Sequence, residues 1–110
     1  MRDYIAGGAL TETTFVVLLS TYTPNHGYSI MQFIESVTNG RVSLGAGTLY
    51  GAINTLLKKK WIEPFGDEKS SSKKQYIITE LGKQIAENEL SRLNEIIIIA
   101  SKIIGGETND

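Results

Sequence analysis

The fold of this 110-residue chain is decided by residues 45–78, which read GAGTLYGAINTLLKKKWIEPFGDEKSSSKKQYII. In the first half, Leu49, Ile53 and Leu56 recur at helical spacing and predict a helix over residues 46–59. In the second half, two short runs at residues 61–65 and 73–78 flank a polar loop and predict a β-hairpin. The centre of the fold is therefore a helix followed at once by a hairpin.

Two shorter helices are predicted upstream of this centre. Thr11 can cap the first, whose predicted apolar face consists of Phe15, Leu18, Leu19 and Tyr22. Residues 23–27 predict a turn, since Pro24 disfavours helix at the residue before it. The second helix has an apolar side of Ile30, Ile34 and Val37. Asn39 and Gly40 end it, because both tolerate positive φ angles.

One long helix is predicted downstream, over residues 80–104 with Thr79 as its cap. Residues 96–99 are four consecutive isoleucines, which could form a strand by propensity, but the helical spacing continues through them in phase. The helix carries more apolar surface than one small domain can cover, so we expect it to pair with a second chain. The predicted dimer interface consists of Leu90, Leu93, Ile97, Ala100 and Ile104.

Charge is unevenly distributed along the chain, although the net charge is only −1. Residues 41–83 carry eight basic and four acidic residues, whereas the remainder carries three basic and eight acidic ones. A basic middle between acidic ends is expected of a nucleic-acid-binding face. A solvated lysine-rich surface would show the same pattern, so charge alone leaves both interpretations open.

The order of elements predicts a mainly α fold with a small β-hairpin. It is a winged helix-turn-helix, residues 1–79, followed by a long C-terminal dimerisation helix with a frayed tail, residues 80–110. The wing is the hairpin at residues 61–78. In a two-fold dimer, the two third helices can enter successive major grooves of a palindromic operator in double-stranded DNA. The sequence thus favours a homodimeric DNA-binding protein.

The predicted third helix exposes residues that suit contact with DNA. Gly47 and Gly51 each cost roughly 0.5–1 kcal/mol relative to alanine, which is reasonable if another molecule must approach the backbone closely. Asn54 can pair with adenine, and Tyr50 can donate to a phosphate or pack on a thymine methyl group. Tyr50 could instead pack on the second helix, and Lys58 could simply interact with the helix dipole. Both alternatives stay open.

Phosphate contacts are expected from three places. They are the first turn of the third helix, the lysines and serines of the hairpin loop, and an outward hydroxyl at the start of the second helix. The predicted DNA-binding residues are Gly47, Thr48, Tyr50, Gly51, Asn54 and Lys58 of the third helix, Lys69, Ser71, Lys73 and Lys74 of the wing, and Tyr28 of the second helix.

Four segments together resemble the PadR family of bacterial transcriptional regulators. They are residues 10–12 (LTE), 24–28 (PNHGY), 45–53 (GAGTLYGAI) and 76–82 (YIITELG). The resemblance runs from about Leu10 to Leu93, and the short C-terminus is similar to the smaller members, in which one long helix makes the dimer. It implies a repressor whose affinity for DNA falls when a small molecule binds.

The resemblance also implies a cavity for a small apolar or aromatic effector near the dimer interface, lined by the first and last helices. The candidate lining residues are Phe15, Leu19, Leu93, Ile96, Ile97 and Ala100, and each is equally explained as core. Some multidrug-responsive members carry a tryptophan on the last helix that stacks on flat ligands. The only tryptophan here is Trp61, at the start of the hairpin, which argues against drug stacking.

Composition and motifs argue against several other functions. The chain has no cysteine and one histidine, His26, so we expect no metal site and no cofactor. The glycines at 45 and 47 lack the third glycine of a dinucleotide fingerprint, and Ala46-Gly47 replaces the Lys-Ser/Thr of a P-loop, so we expect no enzyme.

The expected location is the cytoplasm, with no membrane contact. The first ten residues lack the apolar stretch of a secretion signal, and the longest apolar run is shorter than a membrane span. A winged helix can also bind another protein through its wing, so a protein–protein adaptor without DNA binding stays the alternative function.

Overall fold

The computed structural model describes residues 8–67 and 73–106. Within them the elements follow in the order α1 (Glu12–Ser20), β1 (Asn25–His26), α2 (Gly27–Val37), α3 (Ala46–Lys58), β2 (Ile62–Phe65), β3 (Gln75–Ile78) and α4 (Glu80–Gly105). This is the predicted fold, mainly helical with a small antiparallel sheet. No helix in the described ranges is both long and apolar enough to cross a membrane.

The helix ends follow from local sequence. Thr11 and Thr79 are the N-caps of α1 and α4, and each hydroxyl accepts a hydrogen bond from the backbone N–H three residues later. Asn39 and Gly106 follow α2 and α4 with φ angles of 54° and 77°, in the left-handed region that ends helices. Both caps and the end of α2 at Asn39 were predicted from the residue types alone.

The sheet has three strands rather than the two of the predicted hairpin. The central strand is β3, which pairs antiparallel with β2 on one side and β1 on the other. Asn25 and His26, predicted to lie in a turn, pair with Tyr76 and Gln75. A two-residue strand is too short to show periodicity, and its partner lies far along the chain. Pro64 lies in β2, on an edge of the sheet.

The core lies between the first three helices and the sheet. Its fully buried aliphatic residues are Val17, Leu18, Ile30, Ile34, Leu49, Ile53, Leu56 and Ile62. The predicted inner faces of α2 and α3 are confirmed except at Val37, which is exposed. The prediction for α1 was wrong in part. Leu19 and Tyr22 are exposed, while Thr14 and Ser20 are buried with their hydroxyls hydrogen-bonded.

The long helix α4 begins on the body of the domain and then leaves it. Its buried residues, Gly82, Ala86 and Glu89, all lie in the first three turns. The described residues span 60 × 28 × 24 Å, and a 26-residue helix is about 39 Å long. Most of the C-terminal half of α4 therefore projects from the domain.

Candidate nucleic-acid interface

The outer face of α3 presents bare backbone. Gly47 and Gly51 are exposed, and a side chain added at either position would meet no atom within 4 Å. Packing within the described chain therefore does not require glycine at these positions, although glycine lowers the stability of a helix. A molecule from outside could approach the backbone of α3 closely along this face.

The polar side chains of this face are available for binding. Thr48, Asn54 and Lys58 are exposed. Within the described residues, none of the three side chains has a hydrogen-bond or ion-pair partner. Thr48 lies in the first turn of α3, and Lys58 ends the helix. A free amide flanked by a hydroxyl and an ammonium group can bind base edges and phosphates without breaking an internal contact.

Tyr50 differs from the other predicted residues of α3, because it is half-buried and packs against the core. A methyl group placed on Gly27 would lie 2.6 Å from Cζ of Tyr50 and closer still to its hydroxyl oxygen. The ring of Tyr50 therefore lies directly against the first residue of α2. This is the packing alternative weighed for Tyr50 from the sequence.

The start of α2 combines an exposed aromatic residue with an uncapped helix end. Tyr28 is 59% exposed, and His26 occupies the N-cap position without making a side-chain cap hydrogen bond. Instead, Nε2 of His26 lies 3.0 Å from the hydroxyl of Ser29. Nδ1 of His26 is buried and has no protein partner in the described part of the chain. The Tyr28 side chain is thus available at the positive end of the α2 dipole.

The wing presents its cations at the start of β3. Lys73 and Lys74 are exposed, and neither forms an ion pair with any described residue. Lys69 and Ser71, which were also predicted to bind DNA, lie outside the described residues. The described ion pairs involve other cations, namely Arg41 with Glu12, Lys83 with Glu80 and Arg92 with Glu89. The charges of Lys58, Lys73 and Lys74 are therefore uncompensated within the described chain.

The projecting half of α4 exposes the predicted dimer residues. Leu90, Ile97 and Ile104 are 55%, 60% and 86% exposed, and Leu93 and Ala100 are half-buried. The neighbouring isoleucines are also exposed: Ile96, Ile98, Ile99 and Ile103. A monomer rarely leaves so large an apolar surface in water.

A groove of about 360 Å³ lies between α1 and α4. It is lined by Leu10, Glu12, Phe15, Val16, Leu19, Glu89, Arg92 and Leu93. Three of the predicted effector residues, Phe15, Leu19 and Leu93, are among them, whereas Ile96, Ile97 and Ala100 are not. The side of α1 that carries Phe15, Val16 and Leu19 is one wall of this groove.

Glu89 is a groove residue that the sequence prediction missed. It is 4% exposed and receives two hydrogen bonds from Arg92, at 2.9 Å from Nε and 2.6 Å from Nη2. These bonds lower the pKa of Glu89 despite its burial, and the backbone N–H of Leu10 adds to the effect. A Glu and an Arg three residues apart on a helix signal a pair, but only the packing of the segment before α1 shows that the Glu89 carboxylate is buried.

A second ion pair connects α1 with the turn between α2 and α3. Arg41 donates to both carboxylate oxygens of Glu12, one of them at 3.0 Å from Nη1. The hydrogen bonds lower the pKa of Glu12 and raise that of Arg41. Both side chains are exposed, so this pair is worth little stability. Among the described residues, no three His, Cys, Asp or Glu side chains cluster as metal ligands.

Comparison with known proteins identifies the family. The sequence model of the "Transcriptional regulator PadR-like family" matches residues 16–88. An uncharacterized 37.1 kDa protein in a transposon of Streptomyces fradiae is 36% identical over 66 residues, which are 60% of this chain. The match spans only 18% of the length of that curated relative.

Solved structures share the fold. A transcriptional regulator from Clostridium thermocellum has a TM-score of 0.66 at 22% identity, over 88% of this chain and 92% of that one. A PadR family regulator from Eggerthella lenta has a TM-score of 0.67 at 20% identity, over 83% and 80%. A PadR family regulator from Clostridium difficile has a TM-score of 0.66 at 22% identity, over 83% and 97%.

Proposed function

This chain belongs to the PadR-like family of transcriptional regulators, and from that premise we propose that it is a homodimeric repressor that binds a palindromic operator in duplex DNA. Residues 1–79 bind the DNA and residues 80–110 form the dimer. A small apolar or aromatic effector weakens the binding. The protein acts in the cytoplasm, without a cofactor, a metal ion or an enzymatic activity of its own.

The outer face of α3 carries the proposal. It combines a backbone left bare at Gly47 and Gly51 with the unpartnered amide of Asn54. The helix can sink into the major groove because nothing projects from the two glycines, and the amide can then pair with a base edge. Thr48, Lys58 and Tyr28 bind phosphates around it, and the wing lysines add sequence-independent affinity.

Dimerisation follows from the apolar surface of α4. Pairing two copies through Leu90, Leu93, Ile97, Ala100 and Ile104 would remove the exposed apolar residues from water, which is strongly favourable. A two-fold axis through this interface would present two copies of α3 to two half-sites. The groove between α1 and α4 lies beside Leu93, so it is the place where we propose that the effector binds.

Binding is tested by selecting duplexes from a random-sequence pool with the whole chain. The duplex it enriches, called the selected duplex below, is then compared with a scrambled one by gel shift at two salt concentrations. We expect preference for the selected duplex, a palindromic sequence, and an affinity that falls steeply with salt, with a log–log slope of about −0.9 per phosphate contact. Absence of a shift at low salt would contradict DNA binding and favour the adaptor.

Replacing Lys73 and Lys74 with alanine should weaken both duplexes about equally and reduce the salt slope by about one per lysine. The matched control is Lys102→Ala near the end of α4, away from the proposed interface. Transcription in vitro from a promoter containing the selected duplex tests the sign of regulation. Repression requires that the added protein lower the amount of transcript.

A further inference from the structure

The position of Tyr50 on α3 is restricted by the start of α2. Its ring lies against the backbone of Gly27, and any side chain there would overlap the hydroxyl and Cζ of the tyrosine. Gly27 is buried, and its φ angle is not in the left-handed region. The fold therefore needs glycine here for the close approach of Tyr50 and not for backbone conformation.

Three elements meet at this contact. Gly27 is the first residue of α2 and directly follows β1, which pairs with β3. Tyr76 of β3 is buried, and burial together with the nearby Tyr50 raises the pKa of its hydroxyl. Tyr50 thus lies where α3, the start of α2 and β3 come together.

The contact connects two parts of the DNA interface that make different kinds of contact. Asn54, one turn beyond Tyr50 on α3, is placed to read a base, and Tyr28, next to Gly27, is placed to bind a phosphate. Sequence-specific binding needs both contacts at once, whereas non-specific binding needs only the phosphate contacts. A change in the spacing between α3 and the start of α2 should therefore affect specific binding most.

We propose that Tyr50 is a positioning residue, whose ring spaces α3 from the start of α2 so that base and phosphate contacts form together. The inference rests on the proposed DNA binding and deepens it. It differs from the reading in which the Tyr50 hydroxyl itself donates to DNA. If the hydroxyl donated to DNA, its removal would weaken binding. If Tyr50 instead spaces the two helices, binding depends on the ring and on the absence of a side chain at Gly27.

The test compares four variants with the wild type: Tyr50→Phe, Tyr50→Leu, Gly27→Ala and the double variant Gly27→Ala/Tyr50→Leu. Each affinity is measured for the selected and the scrambled duplex, well below the unfolding temperature, after circular dichroism has shown that the variant is folded. Tyr50→Phe should bind both duplexes within about twofold of the wild type, because the ring remains. Tyr50→Leu and Gly27→Ala should each lose about tenfold in preference for the selected duplex, the effect of roughly one mismatched base pair, with an unchanged salt slope.

The double variant tests whether the two residues act through each other. Gly27→Ala should cost less than about twofold when Tyr50 is already leucine, because the ring it displaces is gone. Three results would each overturn the proposal: Tyr50→Phe as impaired as Tyr50→Leu, Gly27→Ala with wild-type preference, or equal losses from Gly27→Ala in both backgrounds. If Tyr50→Leu does not fold, Tyr50→Phe and Gly27→Ala still decide. Failure of the wild type to bind any duplex would instead contradict the proposed function.

Discussion

Glu89 is buried where α4 meets the segment before α1, and its carboxylate accepts two hydrogen bonds from Arg92, while the backbone N–H of Leu10 helps to lower its pKa. The bonds from Arg92 lower the pKa of Glu89 in the folded state. Folding therefore favours the charged carboxylate. The contribution of this carboxylate to the free energy of unfolding is complete above the ordinary glutamate pKa of about 4.3. It is lost as the pH falls through the lower pKa of the folded state.

We expect Glu89→Gln to lower the free energy of unfolding at pH 7 by about 1.5–3 kcal/mol, the value of hydrogen bonds to a charged group. The variant should also lose less stability than the wild type between pH 5 and pH 3. Urea unfolding at a fixed protein concentration across that range measures both effects. Glu87→Gln, an exposed neighbour on α4, is the control. Parallel pH profiles for the wild type and Glu89→Gln would contradict the role given to this carboxylate.

Gly82→Ala should destabilise the domain by about 1–3 kcal/mol, the cost of overpacking. The added methyl group would overlap the carbonyl oxygen of Trp61 and lie 2.7 Å from Cγ1 of Ile78. The backbone of Trp61 cannot move easily, because its carbonyl oxygen also accepts the N–H of Thr79 at 2.9 Å. Thermal unfolding measures the effect, and an unchanged midpoint would show that α4 can shift away from Trp61.

Gly51→Ala should have opposite effects on stability and on DNA binding. The methyl group would meet nothing within 4 Å, so the helix should gain about 0.5–1 kcal/mol from alanine's higher helix propensity. The same methyl group would project from the face proposed to enter the major groove, so affinity for the selected duplex should fall. Urea unfolding and gel shifts on one preparation test both parts. If the Gly51→Ala protein bound the selected duplex with full affinity, DNA would not contact this face of α3.

Asn54→Ala should relax sequence preference by about 1–3 kcal/mol at one position of each half-site. We propose that the free amide of Asn54 pairs with a single base, so its loss should leave the phosphate contacts unchanged. Competition with singly substituted duplexes locates that position. Gln84→Ala, which removes an exposed amide from the first turns of α4, should leave the preference unchanged. An Asn54→Ala protein with the wild-type preference would remove the base-reading role.

Ile97→Asp should abolish the dimer and with it operator binding, because it would bury an unpaired carboxylate in the proposed seam of α4. Sedimentation gives the oligomeric state, and gel shifts give the binding. Ser91→Asp places the same charge about 120° away around the helix, outside the predicted interface, and should leave both unchanged. A dimeric Ile97→Asp protein would show that α4 pairs through another face.

Local signals in the sequence were sufficient for the helices. Thr11, Thr79 and Asn39 mark helix ends through their own side chains or backbone angles, so the prediction needs no distant partner. The apolar side of α3 was predicted correctly because only one side of that helix is apolar. On α1, apolar residues occupy two sides, and periodicity cannot tell which one faces the core.

The remaining errors concern contacts between distant segments. The strand β1 exists because residues 25–26 meet β3, and no two-residue pattern reveals such a pairing. In the sequence, Glu89 and Arg92 look like an exposed ion pair, because no local pattern shows that the segment before α1 packs over Glu89. The contact between Tyr50 and Gly27 could not be predicted either. Both residues are recognisable in the sequence, but their contact depends on how α2 crosses α3.

The pairing of β1 with β3 connects the sheet to the residue that begins α2. In the proposed dimer, the two DNA-binding domains would be connected through α4, which leaves the domain beyond Glu89. A change in the angle between the two long helices would then alter the distance between the two copies of α3, and with it the half-site spacing that the dimer prefers.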